Sequence, residues 1–344
     1  MPGRLLPGGL PEFAADAVSL TEILLAMGLM RVAGGHLNTD EILVTTSEVN
    51  RPGLQLTGYT EHFAPDRLQI IGWTETAYLS SLDERTRGKR LDAYFALGFP
   101  ALIVARGLHV MPDMVEAANR HDVPVYVTDM VTSQFAGSLN WFLIHALAPR
   151  TRMPAGLVDV YGEGVLIFGG RGVGKSETAL ELVRRGHRLI ADDAIEVRRI
   201  SESYLRGNQP QGEGHMIAIP GVGQVDVQRL FGIGAVMPSA RVSFVVNLEM
   251  RDPGKEYERL GIDEHVVEIF GVKVSCVTIP VQPGRNLAVI IEAAALNYRQ
   301  QALGYNAAAD LDRRIQGLPG QDEVDEQARA ALDATTVIRP LRRE

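Results

Sequence analysis

In the first half of the chain, short apolar runs alternate with longer stretches that carry apolar residues at helical spacing. Leu20, Ile23 and Leu24 lie on one face of a helix predicted over 19–29. Runs rich in β-branched residues predict strands over 41–46, 68–72, 101–105 and 123–129. Helices are predicted between and after these strands, over 112–121 and 133–147. Strands that alternate with helices predict a small α/β domain with a parallel sheet.

The second half opens with two apolar runs around a Gly-containing turn, which predicts a β-hairpin over 157–169. A helix with a buried face is predicted over 175–185. Further β-type runs predict strands over 187–191, 225–228, 242–248 and 273–279. The apolar segment 287–304 predicts a long helix with Gly304 as the residue that ends it.

The fold class predicted by these elements is α/β with two domains. The segment 148–154 holds two prolines and two arginines between apolar blocks, as is typical of linkers. The expected organisation is a loose N-terminus (1–15), an N-terminal α/β domain (16–147), the linker (148–154), a second α/β domain (155–315) and a partly disordered C-terminal tail (316–344).

Composition narrows the class of protein. The 344 residues carry a net charge of −8, which argues against a general nucleic-acid or anionic-membrane binder. The only cysteine, Cys276, cannot form an intramolecular disulfide and suits a reducing compartment. No window approaches the length of apolar sequence that spans a membrane. We therefore expect a cytoplasmic protein without a membrane or nucleic-acid partner.

The segment GGRGVGKS matches the phosphate-binding loop pattern G-x-x-x-x-G-K-[ST] between a predicted strand and a predicted helix. In such a loop the backbone N–H groups and the lysine hold nucleotide phosphates, and the final hydroxyl binds magnesium. The helix directs its positive N-terminus at the same anion. The expected phosphate-binding residues are Gly169, Gly170, Arg171, Gly172, Val173, Gly174, Lys175 and Ser176.

Other polar residues follow predicted strands. Asp192 and Asp193 end the strand that comes after the loop, where one carboxylate can bind a metal and the other can accept a proton. Spacing does not say which aspartate has which role. Arg259 lies in a charged stretch and is either solvated or a cation for the transferring phosphoryl group. Arg285, beside Gly284, is either an anion contact or a plain turn residue.

At these residues the chain resembles bacterial HPr kinase/phosphorylase over roughly 16–315. The shared segments are NRPGLQLTGY (50–59), APRTRM (148–153), LVDVYGEGVLI (157–167), GVGKSETALELVRRGHRLIADD (172–193), KEYERLGID (255–263) and PGRNLAVIIEAAALNYR (283–299). The family phosphorylates a serine of the phosphocarrier protein HPr with ATP. It also removes that phosphate with inorganic phosphate, yielding pyrophosphate.

The resemblance implies a P-loop kinase domain whose core is similar to that of phosphoenolpyruvate carboxykinase, and a hexamer. By position, Lys175 would bind phosphates, Ser176 would bind Mg²⁺, and Asp193 would be the general base. Asp192 is then left as a second magnesium ligand. Arg259 matches the active-site arginine of the family. ATP and Mg²⁺ are the expected cofactors, and HPr is the expected partner.

The chain also departs from the family pattern. Pro154 stands where the family has a histidine, and Gln282 replaces an arginine. In IAIPGVGQVD (217–226), Ala218 replaces a magnesium-binding glutamate and Pro220 an arginine. Lost cations would weaken the binding of free phosphate most, so we expect phosphorolysis to be weak or lost. Arg171 stands where a small residue is usual and adds positive charge.

Two other interpretations stay open. One is a nucleotide-binding regulatory homologue without catalysis, which the changes at Pro154 and Ala218 favour. It is opposed by the retained Lys175, Ser176, Asp193 and Arg259, because a protein without catalysis has no chemical need for a base and a cation. The other is a kinase of a small metabolite on the same fold, which only a substrate screen distinguishes.

Overall fold

The structure is a computed structural model that describes residues 17–34, 38–210, 212–255, 257, 265–318 and 320. Its chain divides into two compact units between Arg150 and Thr151. Arg259 and most of the C-terminal tail lie outside the residues that the structure describes. Within the described residues, no helix combines the length and the apolar character that crossing a bilayer requires.

The N-terminal unit is built on a mostly parallel sheet, whose edge strand β2 is antiparallel to β7. Its strands are β1 (Val18–Ser19), β2 (Met30–Ala33), β3 (Leu43–Val44), β4 (Val49–Asn50), β5 (Leu68–Ile71), β6 (Leu102–Val104) and β7 (Val125–Val127). Its helices are α1 (Leu20–Met27), α2 (Gly53–Leu56), α3 (Trp73–Ser81), α4 (Glu84–Phe95), α5 (Pro112–Arg120) and α6 (Thr132–Ala146). The main sheet has the order β2-β7-β6-β5-β4, and β4 to β7 run parallel.

The apolar runs of this unit form strands because both of their faces are buried, as expected for a parallel sheet between helices. All four residues of β5 are buried. The predicted helices 19–29 and 112–121 are confirmed with shorter bounds, and the predicted helix 133–147 is confirmed one residue earlier along the chain, at 132–146. The predicted strand 41–46 is reduced to Leu43–Val44, which pairs with β1 outside the main sheet.

The second unit is built on a larger mixed sheet. Its strands are β8 (Arg150–Met153), β9 (Gly156–Val160), β10 (Glu163–Gly169), β11 (Arg188–Ala191), β12 (Ile195–Ser201), β13 (Tyr204–Asn208), β14 (Met216–Ile219), β15 (Gly223–Asp226), β16 (Ser239–Met250), β17 (His265–Ile269) and β18 (Val272–Val281). Its helices are α7 (Lys175–Arg184), α8 (Val227–Phe231), α9 (Leu287–Ala302) and α10 (Ala307–Ile315). Arg150–Met153, predicted as part of a linker, instead forms an edge strand of this sheet.

The strand order β11-β9-β10-β16 positions the site. The hairpin of β9 and β10 is confirmed, and its turn residues Tyr161 and Gly162 both have positive φ, as a type I′ turn requires. β10, β16 and β18 run parallel. β11 has the same direction as β10, because both are antiparallel to β9. Four strands therefore have their carboxyl ends at one edge of the sheet, namely β10, β11, β16 and β18.

Helices α7 and α9 contribute to the apolar core of this unit, with Leu182 and Ile291 fully buried. The hairpin of β14 and β15 packs Ile217 into the same core. The strand predicted over 225–228 is wrong at its end, because the Asp226 side chain accepts a hydrogen bond from the Arg229 N–H and caps α8 instead. Gly304 does follow the last turn of α9, with φ 96°.

Candidate active site

The strand β10 leads directly into the GGRGVGKS loop, which leads into α7. Gly169 ends the strand with φ 154°, and a Cβ there would lie 2.7 Å from the Leu248 carbonyl oxygen. Only glycine fits this close approach to β16. The side chain of Val173 is buried in the core and holds the middle of the loop against the sheet.

The loop leaves several backbone donors free. Gly172 and Gly174 adopt left-handed φ values of 74° and 95°, which favour glycine. A Cβ at either position would meet nothing within 4 Å, so the space over the loop is open. The N-terminus of α7 has no side-chain cap, which leaves its first N–H groups available to an anion. The arrangement is that of a phosphate-binding cradle.

Lys175 folds back over this loop. Its Nζ donates to the carbonyl oxygens of Gly169 at 2.9 Å and Gly170 at 3.3 Å. Within the described residues, it forms no ion pair with a carboxylate, so its charge is not neutralised by the protein. Phosphate oxygens at the loop would therefore meet an ammonium group at its mouth.

Asp192 follows β11 at the same edge of the sheet. Its Oδ1 lies 3.3 Å from the position of a Cβ on Gly156, the first residue of β9, so the carboxylate lies over the strand between β11 and β10. Both carboxylate oxygens are buried, and within the described residues neither accepts a hydrogen bond of good geometry. Burial raises the pKa of this carboxyl, and the nearby Ser176 hydroxyl and Lys175 lower it less.

Asp193 differs from its neighbour. It is exposed, and its φ of 66° places it in the left-handed region, where aspartate is one of the more tolerated residues. The turn therefore directs one carboxylate inward, towards Ser176, and leaves the other in solvent at the open edge. Two adjacent aspartates thus have different environments, as two different roles would need.

The donor set at the inner carboxylate fits magnesium. Mg²⁺ prefers oxygen ligands and is typically held by one or two side chains together with substrate phosphates. A buried carboxylate that lies beside a serine hydroxyl and, within the described residues, accepts no hydrogen bond of good geometry matches that preference. Asp192 and Ser176 are the residues that would hold the ion. Within the described residues, no group of three or more His, Cys, Asp or Glu side chains forms a metal cluster of its own.

The family positions that are lost in this chain lie on the surface around this edge. Pro154 is exposed between β8 and β9, and Ala218 and Pro220 are exposed on the β14–β15 hairpin. Near them, Glu213 forms an ion pair with Arg152 at 3.4 Å. His215 Nδ1 lies 3.1 Å from the Ile190 carbonyl oxygen, and burial lowers its pKa. These contacts engage the Glu213 carboxylate and one imidazole nitrogen of His215.

The ends of β16 and β18 complete the edge. Gln282, Gly284 and Arg285 form the turn between β18 and α9, and the Arg285 N–H donates to the Gln282 carbonyl oxygen. Lys255 is neutralised by Glu249, at 2.8 Å. Sequence patterns did not single out Arg251, which follows β16 at this edge. Arg251 is a candidate because it follows a buried strand that neighbours β10, the strand leading into the loop. This position can be recognised only when the pairing of the strands is known.

Cys276 lies on β18 and is 4% exposed. Burial raises the pKa of its thiol to about 11. The thiolate is the reactive form of cysteine, so this side chain is a core residue and not a nucleophile.

Comparison with known proteins agrees with these observations. The family model described as HPr Serine kinase C-terminal domain matches residues 145–315, and the model described as HPr Serine kinase N terminus matches residues 18–143. The HPr kinase/phosphorylase of Caldanaerobacter subterraneus subsp. tengcongensis is 46% identical over 300 residues, which cover 87% of this chain and 98% of that protein. The HPr kinase/phosphorylase of Geobacillus thermodenitrificans is 44% identical over 282 residues, or 82% of this chain and 91% of that protein.

A solved structure is also similar to the chain. The Hpr(Ser) kinase/phosphatase from Coxiella burnetii is 34% identical, covers 45% of this chain and 94% of its own chain, and superposes with a TM-score of 0.42. The two family models together span both units of the protein. The chain belongs to the HPr kinase/phosphorylase family.

Proposed function

We propose that this protein transfers the γ-phosphate of ATP to a serine of HPr and catalyses the phosphate-dependent reverse reaction. One observation carries the proposal: the phosphate loop, the buried Asp192 and the exposed Asp193 all lie at the same edge of one sheet. The relatives named HPr kinase/phosphorylase support the identity of the substrate. The loop alone would fit many nucleotide-binding proteins.

Each residue has a defined role in the transfer. The loop amides and Lys175 would hold the phosphates, and Ser176 and Asp192 would hold a magnesium ion, which would neutralise charge on the phosphate oxygens. Asp193 accepts the proton of the serine hydroxyl as the serine oxygen attacks the γ-phosphorus. The bond from that phosphorus to the bridging oxygen breaks, and ADP leaves. Arg259, outside the described residues, is proposed to stabilise the transferring phosphoryl group.

The reverse reaction uses the same residues. An oxygen of inorganic phosphate attacks the phosphorus of phosphoserine, the bond to the serine oxygen breaks, and pyrophosphate forms. Asp193 then returns the proton to the serine oxygen. Three positions lack the cation that the family has there, namely Pro154, Pro220 and Gln282. Because fewer cations are available to hold free phosphate, we expect phosphorolysis to be slower than the forward transfer.

Assembly and location follow from the family resemblance. We propose a homohexamer in the cytoplasm, built on the second unit. The net charge of −8 and the single buried cysteine are compatible with that location.

The transfer is tested with pure protein, HPr, ATP and Mg²⁺, followed by mass spectrometry of HPr. We expect one added phosphate on a serine, and its loss with release of pyrophosphate when phosphate replaces ATP. Lys175→Ala should abolish transfer. Unchanged transfer by that variant would overturn the assignment of the site.

The alternative of a regulatory homologue rests on Ala218 and Pro154, which remove two side chains that the family retains. It predicts nucleotide binding by calorimetry with no phosphate on HPr. A small-metabolite kinase would instead leave HPr unmodified while consuming ATP with a hydroxyl compound. The HPr assay therefore separates the proposed function from both alternatives, and a screen of hydroxyl compounds for ATP consumption separates the two alternatives from each other.

A further inference from the structure

The residue that follows β16, Arg251, lies at the same edge of the sheet as the phosphate loop. β16 pairs with β10 through Leu248 and Gly169, and with β18 through Met250 and Val281. The Arg251 N–H continues the ladder by donating to the Val281 carbonyl oxygen at 3.2 Å. Arg251 is thus three residues beyond the partner of Gly169, about 10 Å along the strand direction. Arg251 therefore lies beyond the carboxyl end of the strand next to β10, at the same edge of the sheet as the phosphate loop.

The guanidinium of Arg251 is held by a neutral side chain from the neighbouring strand end. With the Gln282 amide oriented so that its oxygen faces Arg251, that oxygen accepts from Nε at 3.1 Å and from Nη1 at 2.8 Å. Within the described residues, Arg251 forms no ion pair, in contrast to Lys255 and its partner Glu249. The amide fixes the guanidinium without neutralising it.

A guanidinium held in this way keeps most of its capacity to bind an anion. It has five N–H donors, of which the Gln282 oxygen uses two. The remaining three can contact phosphate oxygens, for which arginine is well suited by its planar fork and permanent charge. Restricting the side chain beforehand also reduces the entropy lost on binding.

We propose that Arg251 is a phosphate-binding residue of this site, and that it supplies from β16 the positive charge which Gln282 lacks on β18. The inference rests on the proposed function for the identity of the site. Its ligand is a phosphate oxyanion, which is either the terminal phosphate of the nucleotide or the free phosphate of the reverse reaction. Of the three family positions that lack a cation in this chain, the one at Gln282 is thus compensated by an arginine at the end of the neighbouring strand.

The test measures binding without HPr, by calorimetry of the full-length protein with Mg²⁺ and either ATP, pyrophosphate or inorganic phosphate. Arg251→Met should weaken at least one of these ligands by about 10- to 100-fold, because a charge-assisted contact is lost. A loss confined to phosphate and pyrophosphate identifies the free anion as the ligand. A loss that extends to ATP identifies the terminal phosphate.

A charge exchange keeps the test informative if one variant folds poorly. Arg251→Gln combined with Gln282→Arg returns a guanidinium to the same pair of strand ends, and should recover most of the affinity that Arg251→Gln alone loses. Arg184→Met is the matched control, since it removes an exposed arginine at the far end of α7 and should change binding less than 2-fold.

Two results would overturn the inference. One is unchanged affinity of a folded Arg251→Met protein for all three ligands. The other is a double variant no better than the single one, which would mean that Arg251 only braces the turn. Neither result depends on transfer to HPr, so they are distinguishable from a failure of the proposed function.

Discussion

Two neighbouring aspartates acquire different properties from a single turn. Asp192 ends β11 with both oxygens buried over the first residue of β9, and Asp193 adopts a left-handed conformation that exposes its side chain. Burial favours the binding of a metal ion, because the ion satisfies a carboxylate that accepts no hydrogen bond of good geometry within the described residues. Exposure allows the second carboxylate to meet a protein substrate. The chemistry of the pair is thus set by backbone conformation as much as by residue type.

Replacing Asp193 with asparagine should remove the base and keep the turn, because asparagine also tolerates the left-handed region. We expect the rate of transfer to HPr to fall by about 10²- to 10⁴-fold. Nucleotide affinity should change less than 3-fold. Rapid-quench measurement of phosphorylated HPr and calorimetry with ATP check the two expectations, and a parallel fall in both would argue for a structural role.

Replacing Asp192 with asparagine should stabilise the ligand-free protein. Because burial raises the folded-state pKa of this carboxyl, its ionisation opposes folding once the pH exceeds the ordinary aspartate value. At pH 7 we expect the melting temperature to rise by about 2–4 °C. The same variant should lose the extra stabilisation that Mg²⁺ gives in the presence of ATP. Calorimetric melting with and without the ion measures both, and a destabilised ligand-free variant would contradict the account.

At the scale of elements, an ion network ties the loop helix to its neighbours. Arg185 after α7 binds the Glu292 carboxylate of α9 at 2.8 and 2.7 Å, and His187 before β11 lies 3.0 Å from it. Glu292 and His187 are both buried. The hydrogen bonds from Arg185 chiefly hold the pKa of Glu292 below its ordinary value. The network joins the C-terminal end of α7 to the strand that carries the aspartates.

Replacing Glu292 with glutamine should therefore destabilise the protein in a pH-dependent way. A lowered folded-state pKa means that the stabilisation is present above the ordinary glutamate value and is lost as the pH falls through the folded-state pKa. We expect a loss of about 2 kcal/mol at pH 7, less than for a fully buried pair because Arg185 is partly exposed. Denaturant titrations at pH 7 and pH 4 should show the difference shrinking in acid.

The matched control is Glu181→Gln, which breaks an exposed pair with Arg184. That change should cost less than about 0.5 kcal/mol. Equal losses for the two variants would contradict a special role for the buried network.

Local sequence patterns predicted those elements whose formation depends on local signals. The hairpin of β9 and β10, the loop, α7 and the aspartate pair after β11 each follow from turn residues, glycines and apolar spacing in one short segment. The strand predicted over 225–228 ended too late because a single capping carboxylate, Asp226, outweighs two valines.

Features that depend on strand pairing were not predictable. The segment 150–153 carries linker-type residues, yet it forms a strand because β12 offers it an edge. The contact between Arg251 and Gln282 joins residues from two strands whose parallel register no local pattern encodes. Comparison with the family pattern therefore shows only that Gln282 lacks a charge, because the arginine beside it stands at a different position in the sequence.

At the scale of the molecule, the protein has two units with separate cores, and the proposed chemistry lies in the second. The family resemblance implies that six copies of the second unit assemble. We expect light scattering coupled to size exclusion to give a mass six times that of the 37.5 kDa chain. Single-chain mass at micromolar concentration would contradict the hexamer and leave the active-site account intact.

The central claim is that this edge of the sheet transfers phosphate from ATP to a serine of HPr. The most direct measurement is the mass of HPr after incubation with wild-type protein or Asp193→Asn, with ATP and Mg²⁺. We expect one phosphoserine with the wild type and almost none with the variant, although both bind ATP. Unmodified HPr with wild-type protein that binds ATP normally would contradict it.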